Sequence, residues 1–222
     1  EFSENAGQYA VHLAQQIKAE LHVMHAYHVP VIDPMTPAEY LKELSDSIKK
    51  EAEEKIESAQ KQLQSYARKI AFEDISIKTK ISYGFAAGEI VSYSEEINPD
   101  ILVIGARHLE GLEKAIFGSV NQPVLEKASA PVLLVPANAK YGEDDFKILY
   151  ATDFKTKDQQ AISKLLEFAH LLNAKVHCVH FDLDGFVNID RADMEEIERL
   201  FEAEREAGKI DFQILSSESF EE

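Results

Sequence analysis

The sequence has one cysteine, little positive charge and no long apolar run. A lone Cys178 cannot form an internal disulfide, which is typical of a protein in a reducing cytoplasm. Lysine and arginine number 23 against 40 aspartates and glutamates, a net charge of −17, so we expect no binding to nucleic acid or to an anionic membrane. No apolar stretch approaches the roughly 20 residues that span a bilayer. Residues 1–4 also lack the basic and apolar parts of a signal peptide. These absences predict a soluble, acidic, cytoplasmic protein.

What the sequence does contain, first of all, is an internal repeat. The segment AELHVMH at residues 19–25 returns as AKVHCVH at residues 174–180. An amphipathic helix pattern precedes each segment, with apolar residues at the helical period. A spacing of about 150 residues is the size of a domain and predicts a tandem duplication. The predicted domains are residues 1–140 and residues 145–222, joined by a linker at residues 136–145.

Helix and strand patterns alternate along the chain, and the strands are short and apolar on both faces. This combination is typical of a parallel sheet covered by helices on both sides. We therefore predict an α/β fold of doubly wound, Rossmann-like parallel sheets, in two tandem copies of which the second is incomplete. Strands are predicted at 21–25, 75–81, 101–104, 131–135, 148–151, 174–180 and 210–215. Predicted helices include 3–18, a long helix with Thr36 as its N-cap, 119–128 and 192–205.

Aligning the two copies leaves segments without a counterpart. The second copy opens with a strand at residues 147–151, and nothing before Glu1 matches it. The second copy also stops before a glycine loop and two final strands could appear. Because the first strand of a doubly wound sheet is central, its omission would leave a hole in the core. We therefore expect a chain trimmed at both ends, with the first domain lacking its first strand.

A glycine-rich segment follows the third predicted strand. The strand ends at Gly105, a loop of about a dozen residues follows, and Gly118-Ser119 opens a helix. Free backbone N–H groups at a helix N-terminus attract anions, and glycine lets a phosphate approach closely. The alternative is a structural joint in which Ser119 is the N-cap and Gln122 completes a capping box. Spacing alone leaves both interpretations open.

The pattern Gly105-x-x-His108, nine residues, then Gly118-Ser119 resembles the nucleotide motif of the universal stress protein family. Other segments resemble family landmarks in the same order: the strand that ends in His25, the turn at 84–90, APVLLV at 130–135 and TDF at 152–154. The resemblance implies a stress-response regulator that binds ATP, ADP or AMP, with or without Mg²⁺, and turns it over slowly or not at all. It also implies an intramolecular pseudo-dimer of the two domains, or a homodimer.

The resemblance further implies which residues hold the nucleotide. Gly105, Gly118 and Ser119 would hold ribose and phosphates, and Ala26 would line the adenine pocket. The adenine-side acid would be Asp153 in the second copy, where the first copy has Glu1. The implied nucleotide-binding residues are therefore Ala26, Gly105, His108, Gly118, Ser119 and Val120.

His108 departs from the family pattern, since it stands where the motif has its second glycine. Its side chain would either crowd the phosphates or, when protonated, neutralise them. Two other functions stay open: a nucleotide-free interaction and dimerisation module, and a weak ATP hydrolase. We expect no catalytic residues, because the sequence has neither a P-loop lysine motif nor a nucleophile elbow.

The histidines at 22, 25 and 28 raise the question of a metal site. Residues three apart on a strand point to opposite faces, so His22 and His25 could not share one metal ion without distortion. We therefore favour structural histidines over a zinc site. Cys178 lies mid-strand close to the apolar residues Val176 and Val179, which favours packing over a redox role.

Overall fold

The computed structural model describes residues 2–30, 36–106, 119–142, 146–182 and 191–216. The chain divides into two compact units, residues 1–141 and residues 142–222. In the first unit the elements are α1 (Phe2–Ile17), β1 (Leu21–Tyr27), α2 (Ala38–Lys69), β2 (Ile77–Tyr83), α3 (Ala86–Ile97), β3 (Leu102–Ala106), α4 (Asn121–Lys127) and β4 (Val132–Pro136). In the described parts of the chain, no helix is both long and apolar enough to cross a membrane.

The strands of the first unit pair in parallel. β1 lies beside β2, with Leu21 opposite Ile77, and β3 lies beside β4, with Leu102 opposite Val132. Among the described residues these are two separate two-stranded sheets. A cavity of about 940 Å³ lies between them and is bordered by residues of both β1 and β3.

Helices cover both faces of the strands, as predicted for a doubly wound sheet. Leu21 and Val23 pack against a buried cluster of α1 and α2 residues that contains Val11 and Leu63. His22, which lies between Leu21 and Val23 on the strand, instead contacts α3 on the other face. The alternation of side chains along β1 therefore separates a layer formed by α1 and α2 from a layer that contains α3.

The second unit has a three-stranded parallel sheet. Its elements are β5 (Lys147–Ala151), α5 (Thr156–Leu171), β6 (Lys175–Asp182), α6 (Arg191–Leu200), α7 (Glu202–Glu206) and β7 (Ile210–Ser216). β6 lies between β5 and β7, with Ile148 opposite Val176 and Ile210 opposite Val176 on the other side. Cys178 is fully buried in β6, and burial raises the pKa of its thiol to about 12, so the thiol stays protonated.

Two predicted helices differ from the observed ones. The prediction of one helix over 192–205 is wrong, because the backbone leaves the helical region at Phe201, with φ −112° and ψ 27°, where the side chain is buried. The predicted N-cap Thr36 is also wrong. α2 begins at Ala38, and its N-cap is Pro37, which has an extended backbone and no side-chain cap.

The two units end their first helices in the same way. Lys18 after α1 and Asn173 after α5 adopt left-handed conformations, with φ 57° and 48°. In each case the next residue reaches back five positions, so that Ala19 N donates to Ala14 O at 3.0 Å and Ala174 N to Ala169 O at 2.8 Å. This is the hydrogen bond of a Schellman motif. The repeated sequence segments therefore begin from the same backbone turn.

A third left-handed residue, Ala71, ends α2 and generates a prediction about stability. Its φ is 57°, and Phe72 N donates to Ala67 O at 2.8 Å. An L-residue with a Cβ is strained in this conformation, whereas glycine is not. We expect Ala71→Gly to raise the free energy of unfolding by about 0.5–1 kcal/mol in urea titrations.

The matched control is Ala59→Gly in the interior of α2. The same substitution there should lower the free energy of unfolding by about 1 kcal/mol, since glycine is a poor helix former. Equal destabilisation by both variants would contradict the left-handed cap.

Candidate functional site

The glycine segment begins at the carboxyl end of β3. Gly105 lies opposite Val135 of β4, and its carbonyl accepts a hydrogen bond from Asn121 Nδ2 at 3.2 Å. Asn121 is buried and is the first residue of α4. This hydrogen bond joins the carboxyl end of β3 to the start of α4. Residues 107–118, with His108 and Gly118, lie outside the described residues.

The alternative interpretation, in which Ser119 is the N-cap of α4, is wrong. The N-cap is Val120, with φ −97° and ψ −45° and no side-chain cap, and the helix has only seven residues. Ser119 lies in an exposed turn, one residue too early to cap the helix. The predicted capping-box partner Gln122 instead donates to Glu126 Oε1 at 3.0 Å. The Ser119 hydroxyl is therefore not used as a cap, and Asn121 is the polar side chain that organises this turn.

Asn121 was missed by the reasoning from sequence. Its place just after the Gly118-Ser119 pair was a signal, but a buried side-chain hydrogen bond to a residue sixteen positions earlier depends on tertiary structure. The structure brings Gly105 and the start of α4 together. Ala26 lies elsewhere, half-buried on β1 and opposite Ser82. Gly105 and Ala26 thus lie near the carboxyl ends of strands in different sheets.

A cluster of three aromatic rings, which was not predicted from the sequence, lies at the carboxyl ends of β1 and β2. The ring of His28 stacks on Phe85 at 4.6 Å between centroids and lies 6.4 Å from Tyr83. Tyr83 is 60% exposed and Phe85 is 75% exposed. The signal was available, because residues that follow the ends of two neighbouring parallel strands meet at one edge. Flat ring faces therefore lie open to solvent at the same end of β1 as Ala26.

The histidines of β1 point to opposite faces, as predicted. His22 contacts Tyr93 OH of α3 at 2.8 Å and Glu20 Oε1 at 2.7 Å. His25 lies on the α2 side, where burial and the charge of Lys55 lower its pKa. In the parts of the chain that the structure describes, no three metal-ligating side chains gather at one point.

In the second unit a buried carboxylate, Asp158, accepts hydrogen bonds from residues at the carboxyl end of β5. Asp158 accepts hydrogen bonds from Thr152 Oγ1 at 2.7 Å, from Tyr150 OH at 3.2 Å and from two backbone N–H groups at 3.2 Å. Burial raises the pKa of Asp158, but these donors outweigh it and leave the pKa below the ordinary value. The predicted acid Asp153 is exposed and lies 3.7 Å from Lys155 Nζ.

The fold assigns the chain to a class of proteins. Parallel strands with helices on both faces, and a glycine near the carboxyl end of β3, place the chain among the Rossmann-like α/β proteins. The model of the universal stress protein family matches residues 1–136. The chain belongs to that family.

Named relatives agree with this assignment. The chain is 31% identical over 136 residues to universal stress protein MJ0531 of Methanocaldococcus jannaschii, covering 60% of this chain and 74% of that protein. It is 29% identical over 133 residues to universal stress protein YxiE of Bacillus subtilis, covering 57% and 85%. A crystal structure of a universal stress protein from Archaeoglobus fulgidus covers 96% of this chain and 72% of its own, with 19% identity and a TM-score of 0.66, which shows the fold.

Two further solved family members contain nucleotides. One universal stress protein is in complex with cAMP and aligns with 61% of this chain and 89% of its own, at 22% identity and a TM-score of 0.42. Another, from Arabidopsis thaliana, has AMP bound and aligns with 63% of this chain and 81% of its own, at 17% identity and a TM-score of 0.42.

The environment of Asp158 generates a prediction about pH. Its folded-state pKa is lower than the unfolded value near 3.8, so its ionised form stabilises the fold above that value, and this stabilisation is lost as the pH falls through the folded pKa. We expect Asp158→Asn to lower the free energy of unfolding by about 1.5–3 kcal/mol at pH 7, the range for hydrogen bonds to a charged group. The difference from wild type should shrink below about pH 4.

Urea unfolding of wild type and variant, followed by circular dichroism from pH 3 to pH 7, measures this difference. Asp153→Asn is the matched control, since that carboxylate is exposed and should change the stability little. A difference between wild type and Asp158→Asn that stays constant across the pH range would contradict the charged network.

Proposed function

We propose that the first unit binds an adenine nucleotide, ATP, ADP or AMP. The phosphates would lie beside Gly105, Gly118 and Ser119, and the adenine would lie toward Ala26. The observation that carries this proposal is the hydrogen bond between Asn121 and Gly105, which holds the start of α4 at the carboxyl end of β3. Ligands of open parallel α/β sheets bind beyond that edge.

Family membership supports the class of ligand. Universal stress proteins have been crystallised in complex with cAMP and with AMP bound, and this chain belongs to the same family. The exposed Ser119 is consistent with a hydroxyl that serves a ligand, because α4 does not use it as a cap. Exposed aromatic rings at the same end of β1 as Ala26 offer faces on which a base could stack.

The proposed role is regulation in a stress response, with little or no turnover. The sequence has neither a P-loop lysine motif nor a nucleophile elbow, and the described site residues Ala26, Gly105, Ser119 and Val120 carry no general base. We also propose that the two units are tandem copies, which is supported by the shared turn at Lys18 and Asn173. The pairing of the copies as an intramolecular pseudo-dimer, or of two chains as a homodimer, stays a prediction.

Calorimetric titration of the full chain with ATP, ADP and AMP tests the proposed function. We expect saturable binding that Gly118→Asp weakens about tenfold or more, because a carboxylate beside the phosphates repels them. Gly88→Asp is the matched control: it places the same side chain on α3, where nothing lies within 4 Å of the new Cβ. The control should bind as wild type does. The absence of both heat and a thermal shift at millimolar ATP would contradict the proposal.

A second prediction concerns His108. The family motif has glycine at this position, so we expect His108→Gly to relieve crowding and tighten ATP binding. The opposite result, together with a wild-type affinity that rises as the pH falls toward about 6, would assign the imidazolium a charge-neutralising role. A dissociation constant that changes with neither substitution nor pH would place His108 outside the site.

A further inference from the structure

A connected group of titratable side chains lies at the amino end of β1, at the opposite end of the strand from Ala26. Glu20 directly precedes β1, His22 lies on it, and Tyr93 lies on α3. The Tyr93 hydroxyl is 2.8 Å from His22 Nδ1, and His22 Nε2 is 2.7 Å from Glu20 Oε1. A phenol, an imidazole and a carboxylate therefore form one hydrogen-bonded chain, which the proposed nucleotide site does not use.

The carboxylate determines which ring nitrogen of His22 carries the proton. Glu20 also contacts Lys78 Nζ at 2.8 Å and accepts a hydrogen bond from the Ser76 hydroxyl at 2.9 Å. Hydrogen bonds from Lys78 and then from His22 lower the pKa of Glu20 to about 2. An ionised carboxylate only accepts hydrogen bonds, so in the neutral imidazole Nε2 is the donor to Glu20. Nδ1 then holds a lone pair and accepts the hydrogen bond from Tyr93.

This arrangement provides Tyr93 with a base for its proton. Burial and the charge of Glu96 raise the pKa of Tyr93, so the phenol is protonated at neutral pH and becomes a strong nucleophile only when a base removes the proton. His22 Nδ1 lies within hydrogen-bond distance of that proton, and Glu20 orients the imidazole from its other side. A nucleophile, a base and an orienting acid in this order have the relations of a nucleophilic triad.

The group lies near the surface of the first unit. The side chains of His22 and Glu20 are 23% and 38% exposed, and Tyr93 is half-buried. Lys78 belongs to β2, and Ser76 precedes that strand, so the contacts of the group lie on α3 and on the pair formed by β1 and β2. A small molecule in water therefore has access to the group.

Two lysines of β2 favour a substrate with negative charge. Lys80 Nζ lies 5.4 Å from the centre of the Tyr93 ring, and its contact with Glu96 Oε2 is long, at 3.8 Å. Lys78 is the second cation, beside Glu20. Positive charges near a nucleophile stabilise the anion that leaves when an electrophile is attacked. An acyl phosphate fits this environment, because it combines a reactive carbonyl carbon with a phosphate leaving group.

The second unit shows that an ion pair beside the histidine does not require a phenol. There Asp211 Oδ1 lies 3.0 Å from Nδ1 of His177, the counterpart of His22, and Lys175 Nζ contacts the same carboxylate at 2.8 Å. In the first unit the carboxylate contacts Nε2 instead, and Nδ1 contacts Tyr93. The hydroxyl is therefore an addition to the shared ion pair, at the nitrogen that acts as a base.

We propose that Tyr93 is a nucleophile that accepts an acyl group from an acyl phosphate, with His22 as its general base and Glu20 as a positioning residue. The Tyr93 oxygen forms a bond to the carbonyl carbon while its proton moves to His22 Nδ1. The bond between that carbon and the phosphate oxygen breaks, and the phosphate leaves with the electron pair and takes the proton from His22. The products are an O-acyl tyrosine and inorganic phosphate.

Acetyl phosphate, added to the full chain without nucleotide, tests the proposal. Mass spectrometry of quenched and digested samples measures the acetylation of each tyrosine over time. We expect Tyr93 to be acetylated about tenfold or more faster than Tyr40, although Tyr40 is 56% exposed. His22→Ala should slow the acetylation of Tyr93 about a hundredfold, the contribution of a positioned general base, and leave the rate at Tyr40 unchanged.

Two further variants separate the base from its positioning residue. His177→Ala is the matched control, because it removes the counterpart histidine in the second unit, and Tyr93 should react in it as in wild type. Glu20→Ala should slow the acetylation of Tyr93 about tenfold, since a hydrogen bond to a charged group is lost. Nitrogen NMR of the His22 ring should show the Nε2–H tautomer in wild type and a mixture of tautomers in Glu20→Ala.

Three results would overturn the proposal: equal rates at Tyr93 and Tyr40 in wild type, an unchanged rate at Tyr93 in His22→Ala, or equal slowing by His22→Ala and His177→Ala. The comparison of two tyrosines within the wild-type chain does not depend on how any variant folds. No nucleotide is present in these measurements, so failure to bind ATP leaves their outcome unaffected.

Discussion

The fold of the first unit depends on the packing of α1 against both of its strand pairs. In the part of the chain that the structure describes, backbone hydrogen bonds do not join these two pairs. Val11 of α1 lies in the buried cluster that supports Leu21 and Val23 of β1. At the start of the same helix, Asn5 Nδ2 donates to Pro136 O at 2.8 Å and to Ala139 O at 2.9 Å, at the end of β4. Helix α1 thus contacts the β1–β2 pair and the end of β4.

This constraint reaches the candidate site. Gly105 belongs to β3 and Ala26 belongs to β1, so the phosphate side and the adenine side of the proposed site lie on different strand pairs. Hydrogen bonds within a pair fix local geometry, as the bond from Asn121 to Gly105 does at 3.2 Å. The distance between the pairs, however, is set by side-chain packing of α1 and α3.

The features that could be predicted from the sequence are those set by the periodicity of apolar residues and by the geometry of helices and strands. Apolar periodicity predicted the alternation of helices and strands, and the two-residue repeat of a strand predicted that His22 and His25 point apart. The turns were less predictable. Serine is a favoured N-cap residue, yet Val120 and not Ser119 is the N-cap of α4. The roles of the buried Asn121 and Asp158 were not predicted. Their hydrogen bonds depend on which strand end meets which helix, and local sequence does not contain that information.

The two units also share an interaction that comparison of the two repeated segments does not show. In the first unit Glu20 Oε1 lies 2.7 Å from His22 Nε2 and 2.8 Å from Lys78 Nζ, and these hydrogen bonds lower the pKa of Glu20 to about 2. The repeat aligns Glu20 with Lys175 and His22 with His177. Glu20 and Lys175 therefore occupy equivalent positions but carry opposite charges.

The strand register explains the mismatch. Lys78 lies opposite His22, and Asp211 lies opposite His177. Lys175 Nζ contacts Asp211 Oδ2 at 2.8 Å, so the positions of the acid and the base are exchanged between the two units, while an ion pair beside the histidine is present in both. Exposed pairs of this kind contribute little to stability, and either order of charges satisfies the same geometry. The two units therefore share charge complementarity across neighbouring strands, with different residues in each.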